Sequence, residues 1–283
     1  MRFAPLLTQR PILMSRRLRL DAELVRRGLA RSREHASELI SAGAVSVQGQ
    51  VAQKPATAVT TDSAIVVKES LEKKWVSRGA HKLISAFEVF EPMGLSVVGK
   101  RALDAGASTG GFTEVLLDRG VESVIAVDVG YGQLAWSLQS DDRVEVLDRT
   151  NIRHLTIEQI GEPVDLIVSD LSFISLTLVM DALTGLCRED GDIVLMIKPQ
   201  FEVGKDQVGK SGVVRDRDLH IQAVRQVCDA AYVAKWGTVA LAPSMLPGPA
   251  GNVEFFCWLR KDAGPISAEV IEQAVAAAPG GDT

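Results

Sequence analysis

Four residues in this 283-residue sequence have the charges and positions needed for chemistry on a hydroxyl group: Lys82, Asp170, Lys198 and Glu254. Lys82 precedes the first of a series of strand-like runs, Asp170 follows VDLIVS, Lys198 follows GDIVLMI, and Glu254 stands at the start of NVEFFCWL. Alone, each reads as an ordinary ion-pair partner at the end of an element. Around one cleft, two cations and two anions can satisfy each other. A hydroxyl is a poor nucleophile at neutral pH, so its proton must be removed or polarised. Lys198 could stabilise developing oxyanion character, or accept the proton if Lys82 and desolvation lower its pKa. Asp170 and Glu254 would orient the two ammonium groups.

A second set reads as a ligand cradle. Asp104-Ala-Gly-Ala-Ser-Thr-Gly-Gly closes a strand and opens a helix, and Gly106, Gly110 and Gly111 allow a tight turn and close approach of backbone to a ligand. The dinucleotide fingerprint GxGxxG is absent, because Ser108 stands where its second glycine belongs. Asp128 ends the next strand about twenty residues on, where an acidic side chain accepts hydrogen bonds from ribose hydroxyls. Asp148 follows the third strand.

Residues 204–211, GKDQVGKS, match the phosphate-loop pattern GxxxxGKS. A working phosphate loop needs a helix starting at its Lys-Ser. Here Gly212-Val213-Val214 follows and the next helix signal waits until Asp216, so the segment reads as a mobile substrate lid rather than a nucleotide site.

These residues must be positioned by elements. RALDAG, SVIAVD, VEVLD, VDLIVSD, GDIVLMIK, GTVALAP and NVEFFCWL are near-continuous apolar runs alternating with helical patterns. That implies an α/β fold whose mostly parallel seven-stranded sheet is buried on both faces, with ligands at the carboxyl ends of its strands. Ahead of it, Asp21 is placed to cap a helix ended by Gly28, and Ser32 to cap a second helix ended by Gly43. Val45 and Val47 lead into a Gln48-Gly49 turn and a return strand. The expected divisions are a disordered extension over 1–13, a small α+β domain over 14–69, a linker over 70–78 whose Trp75 is not freely exposed, and the sheet domain over 79–283.

The net charge of −5 hides an asymmetry: residues 1–82 hold 15 Lys and Arg against 7 Asp and Glu, while the rest hold 16 against 29. A basic head on an acidic body concentrates phosphate attraction at one end. Cys187, Cys228 and Cys257 are widely spaced in apolar runs, which implies neither a disulfide framework nor a metal site. No apolar run reaches eighteen residues and no cleavable leader is evident, so a cytoplasmic protein without membrane spans is expected.

Several blocks resemble known families. LDAELVRRGLARSREHASELISAGAVSVQGQ is similar to the S-four RNA-binding module, which implies that Arg31, Arg33 and His35 face RNA. The Asp104–Gly111 turn resembles motif I of class I Rossmann-like methyltransferases. That implies S-adenosyl-L-methionine as cofactor, bound by Asp104, Gly106, Ser108, Gly110, Gly111, Asp128 and, at the adenine edge, Asp148. RGAHKL, LDAGASTGGFTEVLL, DVGYGQL, DLSFISL, KPQFEVGK and GNVEFF look like the TlyA (haemolysin A) family of rRNA ribose methyltransferases. The resemblance implies that Lys82, Asp170, Lys198 and Glu254 form the tetrad shared with FtsJ-like 2′-O-methyltransferases. It also implies cytidine ribose targets in ribosomal RNA, in longer members on both subunits. In the linker the sequence departs from the family's R-x-W-V: Lys73-Lys74-Trp75-Val76 keeps the charge but loses arginine's planar fork. Base methylation fits less well, since Asp170-Leu-Ser-Phe173 lacks the prolines of amino-group methyltransferases and no cysteine follows a proline.

Overall fold

The computed structural model describes residues 17–68, 74–209, 211–248 and 250–279. The chain divides between Lys74 and Trp75 into two compact units. The expected extension over 1–13 and linker residues 70–73, Lys73 included, lie outside the described residues. Of the remaining linker stretch, Trp75 and Val76 pack on the core of the second unit, and the Val76 amide donates to Glu114 at 2.7 Å.

The first unit consists of β1 (Leu18–Arg19), α1 (Leu20–Arg26), α2 (Arg33–Ser41), β2 (Val45–Val47), β3 (Gln50–Val51), β4 (Ala58–Val59) and β5 (Ile65–Val67). Ser32 caps α2 by accepting from the His35 amide. Gln48 and Gly49 both take positive φ, the backbone of a tight hairpin turn between β2 and β3. The expected Asp21 cap does not form. The helix starts at Leu20 behind Arg19, so Asp21 lies inside the first turn, where its side chain accepts from the Ala22 amide at 2.8 Å and turns toward Arg19 and Arg33. Leu20, Leu24, Ala36, Ile40 and Val45 form the small core.

The second unit begins with α3 (Gly79–Phe90) and then alternates: β6 (Arg101–Ala105), α4 (Gly111–Asp118), β7 (Ser123–Val127), α5 (Trp136–Gln139), β8 (Val144–Leu147), α6 (Ile157–Ile160), β9 (Val164–Ser169), α7 (Met180–Leu186), β10 (Cys187–Ile197), α8 (Pro199–Glu202), α9 (Arg217–Val233), β11 (Gly237–Pro243), β12 (Phe255–Arg260) and α10 (Ala268–Ala276). All seven apolar runs are strands of one sheet, in the order β11-β12-β10-β9-β6-β7-β8. Pairing is parallel from β10 to β8, while β12 runs antiparallel to both β10 and β11. Two apolar layers cover the sheet, one built on Leu103, Ile167, Leu195 and α9, the other on α3, Phe112, Val168 and Trp258. This double burial is why the strands read as unbroken apolar runs.

The chain winds from β6 outward to β8 and returns beside β6 as β9. The topological switch point therefore lies where the ends of β6 and β9 meet.

Candidate active site

Gly106 leaves β6 with φ +88°, and an added Cβ there would lie 2.8 Å from the Asp170 carbonyl oxygen at the end of β9. Only glycine lets the two strand ends approach so closely. The Asp170 amide in turn donates to the Ala105 carbonyl at 3.0 Å. A cleft of two lobes opens at this junction, with Gly106, Ser108 and Asp170 on the walls of both. One lobe is completed by Ser77, Arg78, Gly79, Lys82, Thr109 and Phe112 among others. The other is completed by Asp128, Gln133, Thr150, Asn151, Ile152 and residues 171–174.

The seven expected cradle residues do not all reach the cleft. Gly106, Ser108, Gly111 and Asp128 line it. Asp128 Oδ2 accepts from the Ser108 amide at 2.8 Å and Oδ1 from the Gly130 amide at 2.7 Å. Each oxygen keeps a lone pair for a ligand hydroxyl. Gly110 opens α4 and faces Leu134 and Leu138 instead. Asp148 is seated at the 130–132 turn, accepting from the Gly132 amide at 2.8 Å, and Asn151 and Ile152 occupy the wall nearby. Asp104 is wholly buried beneath the turn. There it accepts from Thr113 Oγ1 at 2.7 Å, and burial pushes its carboxyl up to about 7, with the nearby negative charges of Asp170 and Asp128 adding to the rise.

The four charged candidates do come together, as two ion pairs. Lys82 Nζ lies 2.5 Å from Glu254 Oε2, and Lys198 Nζ lies 2.5 Å from Asp170 Oδ1. The topology explains how. Asp170 and Lys198 end parallel strands, and because β12 is antiparallel its beginning, next to Glu254, lies at the same sheet edge. Lys82 and Asp170 stand on the cleft wall, and each is backed by a buried partner of opposite charge. Lys198 also donates to Ser172 Oγ at 2.8 Å.

The phosphate-loop pattern does not form a phosphate loop. Among the described residues of that segment there is only a short 3-10 turn, Lys205–Gln207, and the next helix, α9, starts at Arg217 behind an Asp216 cap. Asn252 ties down the end of this segment, its side-chain amide donating to Gly212 O and its carbonyl oxygen accepting from the Val214 amide, both at 2.9 Å.

In the first unit, Arg31 and Arg33 are exposed and His35 half-buried. Arg33 and Arg19 both hold the buried Asp21 carboxylate at 2.8 Å. The hydrogen bond from Arg19, followed by that from Arg33, keeps this carboxyl well below the usual range despite its burial. His35 Nδ1 accepts from the Arg31 amide at 3.2 Å.

Sequence reasoning missed Ser77 and Arg78, the 171–174 wall, and Phe173 in particular, whose ring is 91% exposed at the cleft rim. The signal was present in the DLSFISL run, where an aromatic follows a strand-end aspartate. The three cysteines are buried and free, and burial pushes the Cys187 thiol up to about 12 and that of Cys228 up to about 11. Among the described residues no cluster of His, Cys, Asp or Glu could hold a metal ion, and no helix is long and apolar enough to cross a membrane.

Comparison with known proteins bears on this geometry. The FtsJ-like methyltransferase model matches residues 75–261 and the S4 domain model residues 18–65. The 16S/23S rRNA (cytidine-2′-O)-methyltransferase TlyA of Mycobacterium tuberculosis is 58% identical over 263 residues, which are 93% of this chain and 97% of that protein. Hemolysin A of Brachyspira hyodysenteriae is 36% identical, over 84% of this chain and 98% of its own. The solved structure of a hemolysin candidate from Streptococcus thermophilus superposes with a TM-score of 0.69 at 34% identity, covering 92% of this chain and 94% of that one.

Proposed function

The chain belongs to the FtsJ-like methyltransferase family and, within it, to the TlyA (haemolysin A) group, and from that premise we propose that it 2′-O-methylates cytidine in ribosomal RNA of both subunits, using S-adenosyl-L-methionine. The carrying observation is the pair of ion pairs, Lys82–Glu254 and Lys198–Asp170, placed at the cleft that the Gly106 turn opens. The cytidine target and the two-subunit range follow the activity for which the Mycobacterium tuberculosis relative is named.

The residues present fit the cofactor. The Gly106 turn leaves backbone within reach of a ligand where any Cβ would collide, and Asp128 retains acceptor capacity for ribose hydroxyls. Gly106, Ser108, Gly111 and Asp128 would hold it, with Asn151 and Ile152 on the wall beyond. When bound, S-adenosyl-L-methionine supplies an electrophilic methyl group on a sulfonium.

The chain's own residues prepare the nucleophile. Lys198 has three N–H donors; one goes to Ser172 Oγ, and Asp170 Oδ1 lies 2.5 Å away as its ion-pair partner. A remaining donor would serve the ribose 2′-oxygen, stabilising negative charge as that oxygen sheds its proton. Asp170 and Glu254 fix the directions of the two ammonium groups, and Lys82 adds a second positive charge at the wall. Phe173 offers an exposed ring on which a base can stack. Arg31, Arg33 and His35 supply contacts for the RNA backbone, which suits a basic head attached to an acidic body. A cytoplasmic enzyme acting on ribosomal subunits is the consistent setting.

Nucleoside mass spectrometry of rRNA treated with the protein tests the assignment, with 2′-O-methylcytidine expected. Lys198→Ala should abolish transfer while cofactor binding by calorimetry is retained, because the lost interaction matters mainly in the transition state. A base-methylated product, or full activity in Lys198→Ala, refutes the ribose mechanism.

A further inference from the structure

The loop that follows Asp170 carries four cleft residues, Leu171 to Ile174, yet lies outside the sheet. Its central residue, Phe173, has φ +65° and a ring almost entirely in solvent. A bulky residue keeps that backbone only where its surroundings hold it. The hold comes from α8, which starts directly after Lys198. Glu202 on α8 accepts from Ser175 Oγ at 2.5 Å and from the Leu176 amide at 2.9 Å, so one carboxylate fixes both the side chain and the backbone at the far end of the loop. Desolvation raises this carboxyl above its ordinary value. Neighbouring Phe201 places its ring 5.2 Å from that of Phe173, and at the near end of the loop Ser172 accepts from Lys198.

Glu202 is not on the cleft wall and takes no part in the two ion pairs. A half-buried carboxylate with no contact to the cleft, spent on two donors of a single loop, calls for a reason beyond packing. We infer that Glu202 is a positioning residue for methyl transfer: it clamps the Ser172–Leu176 loop to α8, and so holds Phe173 and Ser172 in register with the Lys198–Asp170 pair. This rests on the functional reading above, since it names a residue that serves the same site. Glu202 acts through the loop and touches no reacting atom.

The test compares steady-state methylation of rRNA by the full chain as wild type, Glu202→Ala, Glu202→Gln, Phe173→Ala and the Glu202→Ala/Phe173→Ala double variant. Losing two hydrogen bonds to a carboxylate should lower kcat of Glu202→Ala by about tenfold or more, with KM for rRNA rising no more than in Phe173→Ala, because any loss of base stacking passes through that ring. Glu202→Gln should recover most of kcat, since its amide keeps an acceptor for Leu176 and a donor for the Ser175 hydroxyl. The double variant should be little worse than Phe173→Ala, the signature of residues acting through one element. Amide exchange over residues 172–176 should quicken in Glu202→Ala while that of β10 does not. If Glu202→Ala fails to fold, Ser175→Ala removes one arm of the clamp and should show the same kcat loss and exchange pattern in weaker form. An unchanged kcat, a multiplicative loss in the double variant, no rescue by glutamine, or unaltered exchange in the loop each overturns the inference. A wild-type protein without methyl transfer overturns the functional reading instead, and the exchange comparison still decides whether the clamp exists.

Discussion

Removing Lys82 isolates a buried charge, and this gives a prediction in which stability and catalysis separate. Its partner Glu254 has a side chain only 1% exposed, against 9% for Lys82, at a distance of 2.5 Å. Lys82→Met leaves that carboxylate in the interior without its counter-charge, and breaking a buried pair from one side costs about 3–5 kcal/mol. For a unit of this size each kcal/mol moves the melting temperature by about 2–4 °C, so a fall of roughly 6–20 °C is expected. Glu254→Gln should lie at or below the lower end, because the stranded ammonium sits on the cleft wall where water can hydrate it. The double variant, Lys82→Met with Glu254→Gln, leaves no isolated charge and should regain most of the lost stability. It should not regain methyl transfer, since the second positive charge at the wall is gone. Calorimetric unfolding of the full chain alongside a methylation end point reads both quantities. Single variants within about 1 kcal/mol of wild type would mean that the pair behaves as an exposed one, and an active double variant would remove Lys82 from the chemistry.

Other perturbations address the remaining parts. Gly106→Ala, forced to φ +88° against the Asp170 carbonyl, should lose about 2 kcal/mol or more of stability and weaken S-adenosyl-L-methionine binding at least about tenfold; calorimetry showing wild-type affinity contradicts the cradle. Arg31→Ala with Arg33→Ala should weaken rRNA binding and flatten its salt dependence while cofactor affinity holds; unchanged RNA affinity removes these residues from the interface. Asp104, pushed up to about 7 by burial, takes up a proton on folding between its unfolded value near about 3.9 and about 7, so its contribution to stability is largest at low pH and declines as pH rises through that window. Asp104→Asn should therefore gain melting temperature relative to wild type between about pH 4 and about pH 7 and level off above; a gap independent of pH shows that the carboxyl does not titrate there.

The parts of the fold legible in the sequence are those where one local rule dominates. Strands covered on both faces are apolar at nearly every position, so VDLIVS and GDIVLMI are legible as strands. Ser32 before a helix and Gly43 after it are set by orphan amides and a left-handed backbone, both properties of a single residue type. Asp21 followed the same capping rule and failed because the helix begins one residue ahead of it, at Leu20 behind Arg19, where the tertiary pairing of the Leu20 and Asp21 amides with Thr57 and Pro55 starts the turn early. The four charged residues were visible at element ends, but the assignment of Glu254 to Lys82 and Asp170 to Lys198 depends on the antiparallel reversal of β12, which no local pattern encodes. Asp148 and Asp104 carry the right residue type at the right strand ends, and what decides their exposure is the course of the 128–132 turn and the depth of the glycine turn. Glu202 lies in KPQFEVGK, a run that carries the family resemblance, but no local pattern there tells that its carboxylate reaches Ser175.

The arrangement of charge also explains how an acidic body can handle RNA. Residues 83–283 carry 16 basic against 29 acidic side chains, a balance that repels phosphate. Within the cleft, however, two of the wall charges are matched: Lys82 by Glu254, and Asp170 by Lys198. The quartet is formally neutral, so it neither attracts nor excludes a ribose. Its ammonium groups are held in fixed directions, which is what stabilising charge on a single oxygen requires. On the proposed function, attraction for the RNA backbone falls to Arg31 and Arg33 of the first unit, the latter held by Asp21. On that proposal affinity and chemistry rest on separate sets of charges. A site that must hold RNA while transferring a group to one neutral hydroxyl gains from that separation, because stronger phosphate attraction inside the cleft would favour the ground state as much as the transition state.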